Sequence, residues 1–394
     1  MRRTLAALAA LVSVGALVGG CADRPAATPA PTFGPALPGD FGGSGPGTLV
    51  SANALEHLDP DLAAKTSVAA RVVYLSTSGI SDTQVKVSGT VFVPNGAPPP
   101  GGWLLVVLGH PNTGSETPCA PSLSPTLRGL APTVETFLDA GYVVAVPDYQ
   151  GLGLDDAPHP FLDSTTAGYN VLDAVRAAGK LVPGLAGRWV GYGTGQGGQA
   201  VWAANELAAD YGGSTQLAGV VAAAPTAAVE GLADAAAAGT LTEEQMLTLH
   251  QYLSALANEY TDFRIDDYRH GVLKANWDAL SGCVGGSSAE RARVLAEMTA
   301  ADLRPSTPDA VDALRGYLKK TALPQGPTAA PMLVTADRPG GLIPQVWTDR
   351  AVARACELGD IVATGIQAEG DPDKAVGWIT DRFNSIAAQN DCPR

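Results

Sequence analysis

The stretch VGYGTGQGGQAVWAANELAADYG, beginning at Val190, reads as a short strand, a glycine-rich turn and a helix. Strained strand-to-helix turns of this kind expose one central side chain, and glycines flank it because neighbouring backbone comes very close. With serine at the centre, a histidine to take its proton, a carboxylate to orient the histidine and backbone N–H groups to receive an oxyanion, such a turn performs acyl transfer. Here the five residues are Gly193, Thr194, Gly195, Gln196 and Gly197, so the centre is Gly195 and carries no nucleophile. Moving the register back by two puts another glycine, Gly193, at the centre. Thr194 offers the nearest hydroxyl, one position off the apex, where its side chain is expected to point into the flanking structure. The same letters satisfy G-x-G-x-x-G through Gly193, Gly195 and Gly198, followed by Glu206 and Asp210. A dinucleotide site needs its acid at the end of a following strand, whereas Asp210 falls at the end of the elbow helix.

The general bases are few. The histidines are His57, His110, His159, His250 and His270, and none follows His270. His110 ends a buried apolar run, where a hydrogen-bonded structural role is expected. Beside it, Asn112, Thr113 and Gly114, with the Gln196 N–H at the start of the helix, offer polar groups for an anion or ester carbonyl. Pro111 removes one backbone donor from that rim. His159 and the pair Tyr149 and Gln150 are expected to shape the floor and loops of the same site. His250 and His270 are expected to be partly exposed residues of a helical segment.

The elements that must position these groups alternate. ARVVYLSTSG and TQVKVSGTVFVP read as an opening antiparallel pair, followed by the buried runs WLLVVLGH and YVVAVPD. A helix over about 164–180, the strand RWVGYG, the elbow helix, LAGVVAAAP, PMLVTAD, DIVATGIQ and a helix through WITDRFNSIAAQ complete the series. This order predicts an α/β class, with a mostly parallel central sheet flanked by helices on both faces. Between the sixth and seventh of these strands, about a hundred residues carry a mainly helical pattern. In TEEQMLTLHQYLSALANEY, Met246, Leu249, Leu253 and Leu256 recur at helical spacing, and Thr242 stands as an N-cap. The expected divisions are a signal peptide at 1–20, a tether at 21–48, core at 49–226, a helical cap at 227–328 and core again at 329–394.

The tether assignment rests on the proline- and glycine-rich residues 22–48, which predict an extended, flexible segment. Ahead of it, two arginines, an apolar run from Leu5 to Val18 and the sequence Val18-Gly19-Gly20-Cys21 read as a lipoprotein export signal with Cys21 acylated. The alternative is an ordinary secretory signal. A formal charge of −14, from 25 basic and 39 acidic residues, opposes nucleic acid, and none is expected as partner. Without Cys21, four cysteines remain, Cys119, Cys283, Cys356 and Cys392, an even number suited to two disulfides outside the cell. Spacing alone leaves three connectivities open. No CxxC or Cys/His cluster supports a metal, and no cofactor is expected.

Across nearly all of the folded part, the chain is similar to the secretory lipase family of bacteria and yeasts. The stretches GHPNTGSETPCAPSL, PDYQGLGLDDAPHPFLDSTTAGYNVLDAVRAA, GTGQGGQAVWAANEL, APMLVTADRPGGLIP, ACELGD and WITDRF carry the resemblance, DYQGLG with the following HPF and LDAVRAA being its specific part. It implies an α/β-hydrolase fold with a helical cap over the pocket. It also implies a catalytic serine where Gly195 stands, an acid at Gly340 shortly before Ile343-Pro344 (or slipped to Asp337), and a histidine where Asp371 stands. The resemblance and the expected sheet edge both pair Cys119 with Cys283 and Cys356 with Cys392. With all three catalytic positions altered, the expectation is a lipase relative without hydrolysis that binds a lipid, acyl ester or other apolar ligand, or serves a protein partner, at a membrane it reaches through its lipid anchor. The ligand is expected near His110, Asn112, Thr113, Tyr149, Gln150 and Gln196. An active esterase with a relocated set, such as His110 or His159 with another hydroxyl, and a purely structural envelope protein are the alternatives.

Overall fold

The computed structural model describes residues 33–366 and 370–393. The signal peptide and the acylated Cys21 expected from sequence lie outside the described residues. In chain order the elements are β1 (Leu49–Ala54), α1 (Pro60–Lys65), β2 (Thr66–Thr77), β3 (Gln84–Pro94), β4 (Trp103–Gly109), α2 (Ala131–Asp139) and β5 (Val143–Pro147). Then come α3 (Ser164–Leu181), β6 (Leu185–Thr194), α4 (Gln196–Tyr211) and β7 (Gln216–Ala223). The helices α5 (Gly231–Ala238), α6 (Glu243–Glu259), α7 (Gly271–Ala275), α8 (Ala289–Glu297) and α9 (Pro308–Thr321) follow without an intervening strand. The chain closes with β8 (Met332–Thr335), α10 (Gln345–Glu357), β9 (Val362–Gly365) and α11 (Pro372–Phe383).

The strands order as β1-β2-β3-β5-β4-β6-β7-β8-β9. The first three and β5 pair antiparallel, and every pairing from β5 across to β9 is parallel. Parallel strands need both faces covered, which is why β4, β5 and β7 are runs of Val, Leu and Ala rather than alternating sequences. One face packs against α3 and α4, the other against α1, α2 and α11. β1, absent from the sequence-based series, is the short outer strand LVSANA, whose mixed pattern of burial carries little periodic signal.

Two expectations are corrected. Residues 33–48 are not a free tether: Gly34 and Leu37 donate to the carbonyls of Ala54 and Ala52, the Pro35 carbonyl accepts from Ala54, and Asp40 donates to the Lys180 carbonyl. A proline is tolerated beside an edge strand because only its missing N–H is lost, and its carbonyl still pairs. The last helix ends at Phe383 rather than running through Gln389, and Ser385 turns the chain with φ +58°. Cys392 therefore lies well past that helix, in a tail that folds back on β9. There Asp391 donates to the Val362 carbonyl at 2.8 Å, its Oδ2 accepts from the Thr364 N–H at 2.8 Å, and Asn390 Oδ1 accepts from the Val362 N–H.

Helices α5 to α9 lie between β7 and β8. Thr242 and Gln245 close a reciprocal capping box at the start of α6, at 3.2 and 3.1 Å, which fixes where that helix begins. The disulfides Cys119–Cys283 and Cys356–Cys392 are both formed. The first ties the insertion to the loop after β4, and the Val284 N–H adds a bond to the Thr113 carbonyl. No described helix is long and apolar enough to cross a membrane.

Candidate functional site

β6 ends at Thr194 and α4 begins at Gln196, leaving Gly195 alone in the turn with φ +56° and ψ −117°. That backbone geometry strains an ordinary residue and is free to glycine. A Cβ placed on Gly195 would meet no heavy atom within 4 Å, so the apex faces open space. Gly193 differs, since a Cβ there would stand 2.2 Å from the Gly197 carbonyl oxygen. The pattern of glycines is thus a packing requirement at Gly193 and an accessible apex at Gly195. A dinucleotide reading has no acid to offer: Glu206 accepts the N–H groups of Gln325 and Gly326 through Oε2, and Asp210 is exposed at the far end of α4.

Above the apex lies a cleft of about 510 Å³ whose walls include Tyr192, Thr194, Gly195, Asp337, Leu342 and Asp371. It sits over the C-terminal ends of β6, β7 and β8, with Glu244 of α6 contributed by the insertion. Asp337 accepts the N–H groups of Arg338 and Ile343 at 2.7 and 3.1 Å. Asp371 caps α11, its Oδ1 accepting from the Asp373 N–H at 3.1 Å. Gly195 and Asp371 are therefore brought into one cleft. Gly340 is an exposed turn residue with φ +76°, not among the lining residues, and from its loop Asp337 and Leu342 reach the cleft instead.

Thr194 corrects an expectation. It lines the cleft rather than pointing into flanking structure. The reason is strand alternation: two residues on from Tyr192, which packs on the α11 side, Thr194 projects from that same face.

The six residues expected to hold a ligand do not line this cleft. His110 is fully buried, with Nδ1 2.7 Å from the Pro111 carbonyl and Nε2 3.1 Å from that of Asp148, its ring stacked on Tyr149. Burial pushes its pKa below the ordinary histidine value. Asn112 donates to Gln251 of α6 and accepts from the Gly114 N–H, so it links loop to insertion. Thr113 and Tyr149 are buried, Tyr149 donating to the His110 carbonyl at 3.3 Å. The Gln150 side chain donates to the Pro158 carbonyl, and that of Gln196 turns down to His159. His159 also meets the Gln150 carbonyl at 2.7 Å, and burial takes its pKa down to about 4. His250 is not partly exposed but fully buried, 4.1 Å from the Trp277 ring and 3.0 Å from its carbonyl, with a pKa lowered to about 4 by burial. His270 precedes α7, outside any helix, and meets the Arg304 carbonyl.

The model of the secretory lipase family matches residues 131–289. The crystal structure of Candida antarctica lipase A in its closed state superposes with a TM-score of 0.70 at 16% identity, covering 91% of this chain and 86% of that one. The fold is an α/β-hydrolase fold, and the family resemblance is to the secretory lipases. The rice cell wall degrading esterase of Xanthomonas oryzae is a second neighbour of this lipase-like chain, with a TM-score of 0.67 at 19% identity over 87% of this chain and 97% of that one. No curated protein sequence matches the chain. Among the described residues, no three His, Cys, Asp or Glu side chains meet to hold a metal ion.

Proposed function

We propose that this lipase-like protein is exported, does not hydrolyse esters, and binds a small apolar or acyl-bearing ligand in the cleft above Gly195. The observation that carries the reading is the open apex: the turn that would thrust a hydroxyl at a carbonyl presents a hydrogen atom into an unfilled cleft. None of the five histidines lines the cleft, so no imidazole is at hand to take a proton. Without a serine at the apex, and with no imidazole to activate the hydroxyls of Thr194 or Thr335, only binding and the N–H donors of the α4 start remain, and a working triad exceeds these by orders of magnitude. A pocket's shape does not depend on the triad, so binding outlives chemistry.

The relocated esterase has little to work with, since the ring nitrogens of His110 and His159 already face protein partners. A purely structural role is disfavoured by the unfilled cleft. Export, with Cys21 as lipid anchor, is supported by the N-terminal pattern and by the two disulfides, which persist in oxidising compartments.

The test is to incubate purified protein with p-nitrophenyl esters from acetate to palmitate and with a fluorophosphonate, and to extract co-purifying small molecules for mass spectrometry. The expected result is hydrolysis at the buffer rate, no labelling, and a bound apolar or acyl species that is lost from a Gly195→Trp variant. Turnover of about 1 s⁻¹ or faster, within the ordinary enzyme range, overturns the reading.

A further inference from the structure

We infer that the ligand of this cleft carries an organic cation, an ammonium group held against Asp337 and Asp371 beside the hydroxyls of Thr194 and Thr335. The inference rests on the cleft reading above and specifies the class of molecule that enters.

Three carboxylates line the cleft, those of Glu244, Asp337 and Asp371. Only Glu244 is matched, by Arg338 at 2.7 Å. Among the described residues no lysine or arginine lies within ion-pair distance of Asp337 or Asp371. Their N–H contacts take one or two of the roughly four acceptor sites each carboxylate offers. The start of α4 opposes them with only about half a positive charge. The cleft therefore keeps a negative excess.

The second observation is independent. Thr194 pairs with Ala223 across β6 and β7, and Ala223 pairs with Thr335 across β7 and β8, so the three stand in one row on one face of the sheet. All three line the cleft. Thr335 is only 1% exposed, and its hydroxyl has no hydrogen-bond partner among the described residues. It lies two residues beyond Leu333 and so projects to the α11 side, the side on which Tyr192 Oη donates to the Gly370 carbonyl next to Asp371. A buried hydroxyl without a partner is costly, and a ligand N–H or O–H supplies one.

Other charges fit poorly. A carboxylate or sulfate head, such as a fatty acid brings, would meet two uncompensated negative charges. A metal ion would need three converging ligands, and these carboxylates do not converge. An ammonium group meets complementary charge, while Pro111, Ala224, Leu342 and Pro372 give its hydrocarbon part apolar walls.

The test is isothermal titration of the full chain with three probes sharing an eight-carbon tail: octylammonium, whose N–H groups can donate to Thr335, octyl sulfate and neutral octyl glucoside, each below micelle formation and at 0.1 M salt. The expected result is ammonium binding about tenfold or more tighter than sulfate, lost in Gly195→Trp, with the preference abolished in Asp337→Asn/Asp371→Asn. Asparagine keeps the α11 cap, and thermal melts confirm that this variant folds. A preference that survives the double variant reports the −14 surface and overturns the inference. Equal binding of all three probes, or tighter sulfate, abolished by Gly195→Trp, overturns the cation while leaving the cleft reading intact. Absence of binding by every probe overturns both.

Discussion

Gly197 packs against the carbonyl of Gly109 so closely that a methyl group on Gly197 would stand 1.9 Å from that oxygen. The start of α4 is thereby pressed onto the end of β4, and the turn before it is held in place. Gly197→Ala must push two backbone segments apart and is expected to cost at least about 3 kcal/mol, at the upper end of overpacking penalties. Gly195→Ser meets open space and bears only the strain of its positive φ, about 1–3 kcal/mol. Urea unfolding of the two variants checks the order; equal losses would contradict the packing account.

Chemistry should return only when a nucleophile and a base return together. Gly195→Ser alone is expected to stay at background on p-nitrophenyl butyrate. Gly195→Ser with Asp371→His, Asp337 remaining as the acid, is expected to exceed the single variant by roughly 10²-fold, the lower range for general-base catalysis. Losing the Asp371 cap on α11 should cost about 1 kcal/mol, visible as a lower melting temperature. Full activity from the single serine variant would mean that a base stands closer than the five histidines suggest.

Removing the Cys119–Cys283 bridge by paired serine substitution releases a loop spanning a sequence separation of 164. The chain-entropy model gives a loss of about 5 kcal/mol, with faster proteolysis inside the helical insertion. The Cys356–Cys392 bridge closes a separation of 36, and its removal should cost roughly 1 kcal/mol less in the same model. Limited trypsin digestion read by mass spectrometry, with denaturant curves, separates the two.

Burial, reinforced by the nearby Asp163 carboxylate, pushes Glu259 up to about 8 at the end of α6. An acid whose pKa is raised in the fold holds its proton there when the unfolded chain has already lost it. Its contribution is complete below the unfolded value of about 4.3 and is lost as pH rises toward 8. Melting temperature should therefore fall between about pH 6.5 and 8 and level off above that, and Glu259→Gln should flatten that decline. On the acid side His159 and His250, whose pKa values are lowered to about 4, act oppositely, so stability also falls as pH drops from about 6.5.

The alternation of strands and helices, the helical run after the sixth predicted strand and the elbow were legible because each rests on local signals. Buried parallel strands must be apolar throughout, and Thr242 announces a helix start. The outward-facing parts were harder. Residues 33–48 look like a linker by composition, yet proline carbonyls still accept hydrogen bonds at a sheet edge. His250 sits in a helix of mixed polarity, and only the insertion's own packing on Trp277 buries it. His110 and Asn112 follow β4 beside Pro111, which does line the cleft, but Asn112 is spent on Gln251, and most of the lining comes from the ends of β6 to β8, where the alternation of β6 carries Thr194 to the α11 side.

The tail that returns over β9 has a further consequence. A sheet whose outer flank is bare invites another molecule to extend it by one strand, and crowding makes that encounter frequent. Here Asn390 and Asp391 occupy the donors and an acceptor of that flank, and the neighbouring covalent bridge keeps them seated. The molecule can be packed densely with its own copies and still offer them no template for sheet growth along β9.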